Sequence, residues 1–446
     1  IPEIQLEEVK LAGLRIDEDQ PFSFSNVDKE ELASRNLGQD LPIMLNYLPG
    51  VVTTSDAGAG IGYSGIRVRG SDATRVNVTI NGIPYNDAES QGVYWVNMPD
   101  FTSSVSSLQI QRGVGTSTNG SGAFGASINL LTDEVSQNAY AEIANTVGSF
   151  NSLKHTLKFS TGLLNNQFEI SGRLSKITSN GYVERASSDL KSYFLQAAFQ
   201  DENTLIKALV FGGHEITYQS WFGVDKNTLN TNRQYNPAGE IYDDNGNLEG
   251  HYDNQEDNYR QDHYQLHWNQ KIDAYTSLSL GLNYTYGRGY YEEYKDLWFE
   301  QNINFSSDNN FSYLGLKPIK IGGTIIDTTE NIVRKWLDND YYVATLSLNR
   351  QKGNTEWSLG SLYSRYVGDH FGELIFANYA PNISPRHRFY ENQGNKKEGN
   401  VYAKVNHRFN DRISGYLDLQ YRGIIYTADG KLKGPEPINI DENYGF

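Results

Sequence analysis

The stretch Ser277-Leu278-Ser279-Leu280-Gly281-Leu282-Asn283-Tyr284-Thr285 alternates along its length. Leu278, Leu280, Leu282 and Tyr284 fall on one face of an extended chain, and Ser277, Ser279, Asn283 and Thr285 on the other. The reason is the two-residue period of a strand. The pattern recurs after residue 139. Phe168/Ile170/Gly172/Leu174 oppose Glu169/Ser171/Arg173/Ser175, and Tyr342/Ala344/Leu346/Leu348 oppose Thr345/Ser347/Asn349. Val401/Ala403/Val405 oppose Tyr402/Lys404/Asn406, and Ile413/Leu417/Leu419/Tyr421 oppose Ser414/Asp418/Gln420/Arg422. One apolar and one wholly polar face suit a membrane barrel with lipid outside and water or protein inside. A soluble sandwich gives the same alternation, so the connections must discriminate.

Eleven strands are expected, near 139–149, 153–162, 166–177, 190–200, 203–216, 259–272, 276–290, 340–351, 355–368, 397–409 and 412–427. Their connections alternate. Leu163–Asn165, Asp201-Glu202, Asp273–Tyr275, Lys352–Asn354 and Asn410-Asp411 are tight, whereas 178–189, 217–258, 291–339 and 369–396 are long. Short turns on one rim and long loops on the other mark an outer-membrane barrel. The chain then reaches Asn443-Tyr444-Gly445-Phe446 with no closing strand expected. Eleven is odd, and an open sheet edge is not viable in lipid. The expectation is part of a larger barrel, completed by further residues or a second chain.

Composition agrees. Of 446 residues, 13% are aromatic, with 31 Tyr and 42 Gly, yet only 38% are hydrophobic. That suits a polar lumen and a thin lipid-facing band, and also a secreted β-rich binding protein. The net charge of −16, from 38 Lys+Arg against 54 Asp+Glu, argues against nucleic acid. With no cysteine, disulfides, thiolate metal sites and a Cys nucleophile are excluded. No apolar run approaches the roughly 18 residues of a membrane helix. Ile1-Pro2-Glu3 shows no basic-then-apolar signal peptide.

The first 135 residues differ. Residues 1–20, with Asp17-Glu18-Asp19 before Pro21, read as a tether. Residues 21–135 read as a small α+β domain, and 136–446 as barrel. Asp28 is a plausible N-cap with Glu31 three residues on; a second short helix runs Leu41 to Leu48. Strands are expected at Ile66–Gly70, Val76–Ile80 and Leu108–Arg112. Asn81-Gly82 is a strong hairpin-turn signal.

Four blocks of this domain, in order, carry a resemblance: Gly65-Ile66-Arg67-Val68-Arg69-Gly70, Arg75 to Pro84, Ile110-Gln111-Arg112-Gly113, and Gly120 to Asn129. It resembles the plug domain of TonB-dependent outer-membrane receptors. Ser90 to Asp100 is most similar to the ferric-dicitrate-receptor-like branch. The resemblance implies a mainly β fold, the plug inside the first half of a 22-stranded transmembrane barrel. It implies active uptake across the bacterial outer membrane, with a ferric siderophore or ferric carboxylate as cargo, or else a peptide or glycan. Partners would be TonB with its inner-membrane motor, the ferric chelate, outer-membrane lipid and the remainder of the barrel. No enzymatic role, cofactor or resident metal is implied.

Leu6, Glu7, Glu8, Val9, Lys10, Leu11 and Ala12 resemble the Ton box, which TonB grips by strand addition; the plain alternative is a disordered tail. Arg69 and Arg112 match plug arginines that latch onto barrel glutamates, for which a bidentate guanidinium is suited. Ser55–Tyr63 and Asn86–Asp100 would form the plug apex, with Gln91, Tyr94 and Trp95 as first ligand contacts; Trp95 could instead pack against the wall. Arg386, His387 and Arg388 form a local cationic patch for an anionic chelate or for lipid. Loop aromatics such as Trp221, Tyr291 and Trp298 suit binding surfaces or an interfacial girdle.

Other motifs carry less. Gly58-x-Gly60-x-Gly62 precedes a strand and not the helix of a dinucleotide site. Asp243 to Asn247 reads as a turn and not a calcium loop. His263 and His267 stand about 13 Å apart at strand rise, too far for one metal. A passive, permanently plugged porin or a surface-assembly component remains the alternative of a different class. A secreted carbohydrate enzyme would need paired carboxylates in a cleft, and no pair stands out.

Overall fold

The computed structural model describes residues 15–16, 20–120, 122–380, 383–433 and 436–445. The expected Ton box, Leu6–Ala12, lies outside the described residues.

The N-terminal domain holds β1 (Ser23–Asp28), β2 (Val51–Ser55), β3 (Ser64–Val68), β4 (Val76–Ile80), β5 (Ile83–Pro84), β6 (Val105–Arg112) and β7 (Ala126–Thr132). Its central sheet has the order β1-β6-β7-β4-β5, with β4 and β7 parallel; β2 and β3 pair separately. Helix α1 (Lys29–Arg35) starts where Asp28 accepts the Glu31 N–H at 2.9 Å, and α2 (Leu41–Met44) has Pro42 in its first turn. Asn81 (φ 53°) and Gly82 (φ 82°) turn β4 into β5, the two positive φ values such a turn requires. Strands β1 and β2 were not expected. Ser23-Phe24-Ser25-Asn26 has little β propensity and takes its conformation from pairing with β6, Ser23 opposite Arg112 through Asp28 opposite Ser107.

After residue 138 come β8 (Ala139–Gly148), β9 (Ser152–Thr161), β10 (Phe168–Ser179), β11 (Ser188–Gln200), β12 (Thr204–Tyr218), β13 (Glu240–Tyr242) and β14 (Leu248–His251). They continue as β15 (Glu256–Lys271), β16 (Thr276–Lys295), β17 (Ile319–Ile321), β18 (Thr324–Ile326), β19 (Asn331–Lys352), β20 (Thr355–Ala377), β21 (His387–Asn410), β22 (Ile413–Lys433) and β23 (Glu436–Gly445). Twelve of them form one antiparallel sheet around the N-terminal domain, with β8 and β23 at its two edges. The hairpins β13–β14 and β17–β18, with helices α3 (Lys226–Thr231) and α4 (Leu297–Asn302), fill the two longest connections.

Two expectations need correction. Among the described residues the wall has twelve strands and not eleven, because β23 pairs with the far half of β22, from Gly423 opposite Gly445 to Lys433 opposite Glu436. Several strands also overrun their expected ends; β19, β20 and β21 have 22, 23 and 24 residues. Both errors have one cause. Beyond the lipid-facing band both faces are wet, so alternation fades while the backbone ladder continues.

Burial separates barrel from sandwich. In β9, Lys154, Thr156, Lys158 and Ser160 are buried while Leu153, Leu157 and Phe159 are exposed. In β10, Glu169, Ser171, Arg173 and Ser175 are buried while Phe168, Ile170 and Leu174 are exposed. Polar residues face inward and apolar ones outward, the inverse of a water-soluble core. On the outer face Tyr264, Tyr284 and Tyr342 stack at 5.9 and 4.9 Å toward the long-loop rim, and Phe168 meets Phe199 at 5.1 Å toward the other. These are the interfacial girdles of a transmembrane barrel.

Candidate functional site

The N-terminal domain is fastened to the wall mainly through its own carboxylates. Asp100 stands in left-handed conformation (φ 54°) at the start of a short 3-10 turn, with no exposed side-chain surface. Its Oδ1 receives Lys154 Nζ at 2.6 Å, Ser103 Oγ at 2.6 Å and Asn36 Nδ2 at 3.0 Å. Its Oδ2 receives Thr156 Oγ1 at 2.7 Å and Ser175 Oγ at 2.5 Å, with Arg173 Nη1 at 3.4 Å. Arg173 also donates to the Asp100 carbonyl. Burial alone would push this carboxyl up, but the charges of Arg173 and Lys154 and the donated hydrogen bonds outweigh it and hold it well below the usual carboxylate range.

Asp133, past the end of β7, repeats the device. Lys29 lies 2.8 Å from one oxygen and the wall's Lys158 3.2 Å from the other, while Lys207 donates to its carbonyl at 3.2 Å. Burial again opposes ionisation, and Lys158 and Lys29 overcome it. A third carboxylate, Glu89, accepts from Tyr426 at 2.7 Å and Tyr366 at 3.2 Å and lies 3.1 Å from His370 Nε2; Lys396 donates to the neighbouring Ala88 carbonyl at 2.8 Å. Burial opposes its charge too, and the bonds from His370 and Tyr426 prevail.

The seam is not uniformly polar. Phe101 packs against wall residues Phe211 at 5.1 Å and Phe194 at 6.4 Å, within the same apolar core as Leu108, Ile110 and Ile128. Close approach needs Gly213: a Cβ there would lie 2.5 Å from the Asn97 carbonyl oxygen. Opposite β4–β5 the wall is polar and uncharged, with Gln261, His263, Gln265 and Asn283 around a cavity of about 40 Å³. His263 and His267 each bond to a neighbouring glutamine there, at 3.2 and 3.1 Å.

A pH dependence follows. Asp100, Asp133 and Glu89 have depressed folded-state pKa values, so their stabilisation is present above the unfolded carboxylate range and is lost as pH falls through the folded values. Asp40 acts oppositely. Burial pushes it up to about 8 against a bond from Ser64, so its stabilisation is lost as pH rises from about 4 toward 8. Urea midpoints of the domain should fall on acidification below about pH 4 and also decline toward pH 8; a midpoint flat from pH 3 to 8 would remove this account.

Arg69 and Arg112 sit together at the far end of β3 and β6. Arg112 donates to Pro49 O at 3.0 Å and Ser25 Oγ at 2.9 Å, and Arg69 to Ser23 Oγ at 3.2 Å. Burial and the neighbouring Arg69 charge lower Arg112 from the usual guanidinium value. Their bonds among the described residues are to neutral oxygens of their own domain. The resolved ionic latch therefore has the reverse polarity, wall cations on domain carboxylates. Asp100, Asp133, Lys154, Lys158 and Arg173 were not singled out from sequence. The available signal was three cations on otherwise small polar faces of β9 and β10.

At the long-loop rim the apex loops meet the wall: Tyr182 N donates to Ala57 O at 2.7 Å. Tyr94 is 46% exposed and lies edge-on to Tyr63 at 6.5 Å. Tyr63 meets Trp221 at 5.4 Å, and Trp221 meets Phe222 at 6.4 Å and Tyr291 at 6.2 Å. Gln91, at φ 61°, turns its amide onto Ala88 O at 2.7 Å. Trp95 is corrected from first contact to core: it is 3% exposed, packed with Leu45 and Met98. The expected cationic patch is dispersed. Arg386 faces Glu373 at 3.9 Å, His387 meets the Leu314 carbonyl at 3.1 Å, and Arg388 pairs with Glu391 while covering the Phe371 ring at 3.9 Å. Asp243 accepts the Asn245 and Asn247 N–H groups in the β13–β14 turn, as a turn residue does.

Residues 17–127 match the model of the TonB-dependent receptor plug domain. No curated protein sequence matches the chain. Among solved structures, the ferric yersiniabactin uptake receptor FyuA from Yersinia pestis matches with TM-score 0.64 and 13% identity over 95% of this chain and 60% of its own. The ferric citrate transporter FecA in unliganded form gives 0.69 and 12% over 96% and 59%, and the ferric-catecholate import receptor Fiu from E. coli K12 gives 0.66 and 12% over 96% and 66%. At such identity the likeness is one of fold, and the chain spans about 60% of the length of these receptors. Residues 17–127 thus match a TonB-dependent receptor plug domain, and the β-sheet wrapped around them shares the fold of these receptors.

Proposed function

We propose that this protein is a TonB-dependent receptor that takes a scarce nutrient across the bacterial outer membrane by force transmitted from TonB, and that the nutrient is a ferric chelate. The observation that carries the reading is a folded plug held inside an inside-out β-sheet by buried ion pairs. A plug so fastened blocks passive flow, so passage needs work done on it. In this reading Leu6–Ala12 is the segment TonB grips, residues 1–20 are its tether, 21–135 the plug and 136–446 the described barrel wall. Strands outside this chain close the barrel, since free edges at β8 and β23 would leave backbone groups unpaired in lipid. Arg69 and Arg112 would find glutamate partners on that remaining wall. Tyr94 and Gln91 would meet cargo at the apex, and Arg386, His387 and Arg388 would contribute at the rim.

The test is uptake of radiolabelled ferric chelates by cells with and without the gene. Uptake should collapse on adding an uncoupler, whereas a static plugged pore ignores it. Val9→Pro removes one backbone donor from an added strand. It should abolish energised uptake and leave surface binding unchanged; undiminished uptake would remove the assignment of the coupling segment.

A further inference from the structure

We propose that His370 is a proton-controlled clasp on the plug apex: as the imidazolium it locks Glu89 to the wall, and on losing a proton to water it loosens the apex loop 86–94. The inference concerns the joint between plug and wall and holds whichever nutrient is taken up.

Both ring nitrogens of His370 face acceptors. Nε2 lies 3.1 Å from Glu89 Oε2, and Nδ1 lies 3.0 Å from Asn392 Oδ1. The Asn392 amide is oriented from its other end, where Nδ2 donates to the Lys431 carbonyl at 2.9 Å. A neutral imidazole has one N–H and one lone pair. It can serve Glu89 or Asn392 and not both, and the other contact then sets a lone pair against an oxygen. The imidazolium donates from both nitrogens and satisfies the two together. Tyr426 donates to Glu89 Oε1 at 2.7 Å and Tyr366 to Oε2 at 3.2 Å. Both phenols favour the ionised carboxylate, so the negative charge that His370 answers is present. The wall makes room for that carboxylate at Gly394, where a Cβ would overlap Glu89 Oε1.

The loop behind Glu89 is tied to itself. Asp87 N–H donates to Gly92 O at 2.9 Å, Gln91 N–H donates to Asp87 O at 3.1 Å, and Ser90 N–H donates to Asp87 Oδ1 at 2.7 Å. It therefore moves as one piece, with Gln91 on it. Its ties to the wall run through Glu89 and through the Ala88 carbonyl, which Lys396 reaches at 2.8 Å. The other ionisable groups at the joint are Asp87 on the loop, Tyr366 on β20, Lys396 and Glu398 on β21, and Tyr426 on β22; Arg422 is engaged by Glu398 at 2.8 Å. Strand β19 sets Leu337 opposite His370, and Asp369 accepts from Gln393 at 2.8 Å. Burial opposes the charged ring, but the hydrogen bond and charge of Glu89 outweigh it and raise His370 above the usual imidazole value. A folded value raised above the unfolded one gives a stabilisation that is whole below about pH 6.5 and is lost as pH rises through the raised value. With 22% of its side chain exposed, the ring exchanges its proton with water.

The test places spin labels at Ser90→Cys on the loop and Gln393→Cys on the wall of the full-length protein in detergent. The distance between them is followed from about pH 6 to about pH 9, across the imidazole range. The ratio of the short, narrow population to the long, broad one should fall by ~10-fold over that interval, the effect of losing one hydrogen bond to a charged group. His370→Gln should show the loosened distribution at both ends of the interval, with heat-modifiable gel migration of the barrel unchanged. Lys396→Met should keep the pH response, because His370 is intact; this separates the imidazole from the other cation at the joint. A distribution that does not change with pH in the unsubstituted protein overturns the clasp. So does a response that persists in His370→Gln, or one that vanishes in Lys396→Met. None of these results bears on the ferric-chelate reading, which stands or falls on uptake.

Discussion

Asp100→Ala should loosen the plug by roughly 3–5 kcal/mol, the cost of leaving buried charges without their partner. The carboxylate has no exposed surface, and its two cationic partners, Lys154 and Arg173, have side chains 5% and 1% exposed. Neither cation can reach water once the carboxylate is gone, and Thr156, Ser175, Ser103 and Asn36 lose an acceptor together. Left-handed backbone at Asp100 adds to the effect, since alanine tolerates φ 54° less well than Asp. With a urea slope of roughly 2 kcal/mol/M, the plug midpoint should drop by about 2 M. A triple variant with Lys154→Met and Arg173→Met should recover much of that loss, because a neutral seam has no stranded charge. A midpoint unchanged in Asp100→Ala would show that the aromatic contact of Phe101 with Phe194 and Phe211, and not the ion pairs, holds the plug.

Leu346→Arg should destabilise the barrel by about 2–4 kcal/mol, the cost of an arginine on the lipid face near the bilayer midplane. Leu346 is 46% exposed and lies on the outer face of β19, between the tyrosine girdle at Tyr342 and Arg350 near the short-turn rim. On a water-soluble protein, replacing a half-exposed leucine by arginine changes stability by about 0.5 kcal/mol or less. The two outcomes differ by a few kcal/mol, so this substitution separates a lipid-embedded face from a wet one more sharply than any spectrum. The readout is the urea midpoint of the barrel refolded into lipid vesicles, beside Ser347→Asn on the opposite face, which should change little.

Strand positions within the lipid band were legible from residue order because the bilayer imposes a strict two-residue rule. Ser277 to Thr285 and Phe168 to Ser175 obey it, and β16 and β10 formed where expected. The coarse division into a mixed N-terminal part and a barrel was legible for the same reason, together with four plug blocks whose glycines and arginines hold fixed spacing. Legibility ended where the membrane did. Asn331 to Asp340, His387 to Lys396 and the whole of β23 carry charges on both faces, so only the ladder to a neighbouring strand defines them. Strand β1 is the inner counterpart, a polar segment made extended by β6.

The candidate site divides along the same line. Sequence determined that this chain makes part of a membrane cylinder with a cork, because alternation, loop asymmetry and plug motifs are local properties. Tertiary structure alone decided which charges meet. Asp100 and Arg173 are 73 positions apart, and Glu89 and Tyr426 are 337 apart, so nothing in either neighbourhood announces the pairing. It also decided that Trp95 serves the core and that Arg386 and Arg388, adjacent cations in sequence, are each met by a carboxylate. Ionic and aromatic contacts act over a few ångströms in space, and only the closed fold sets those distances.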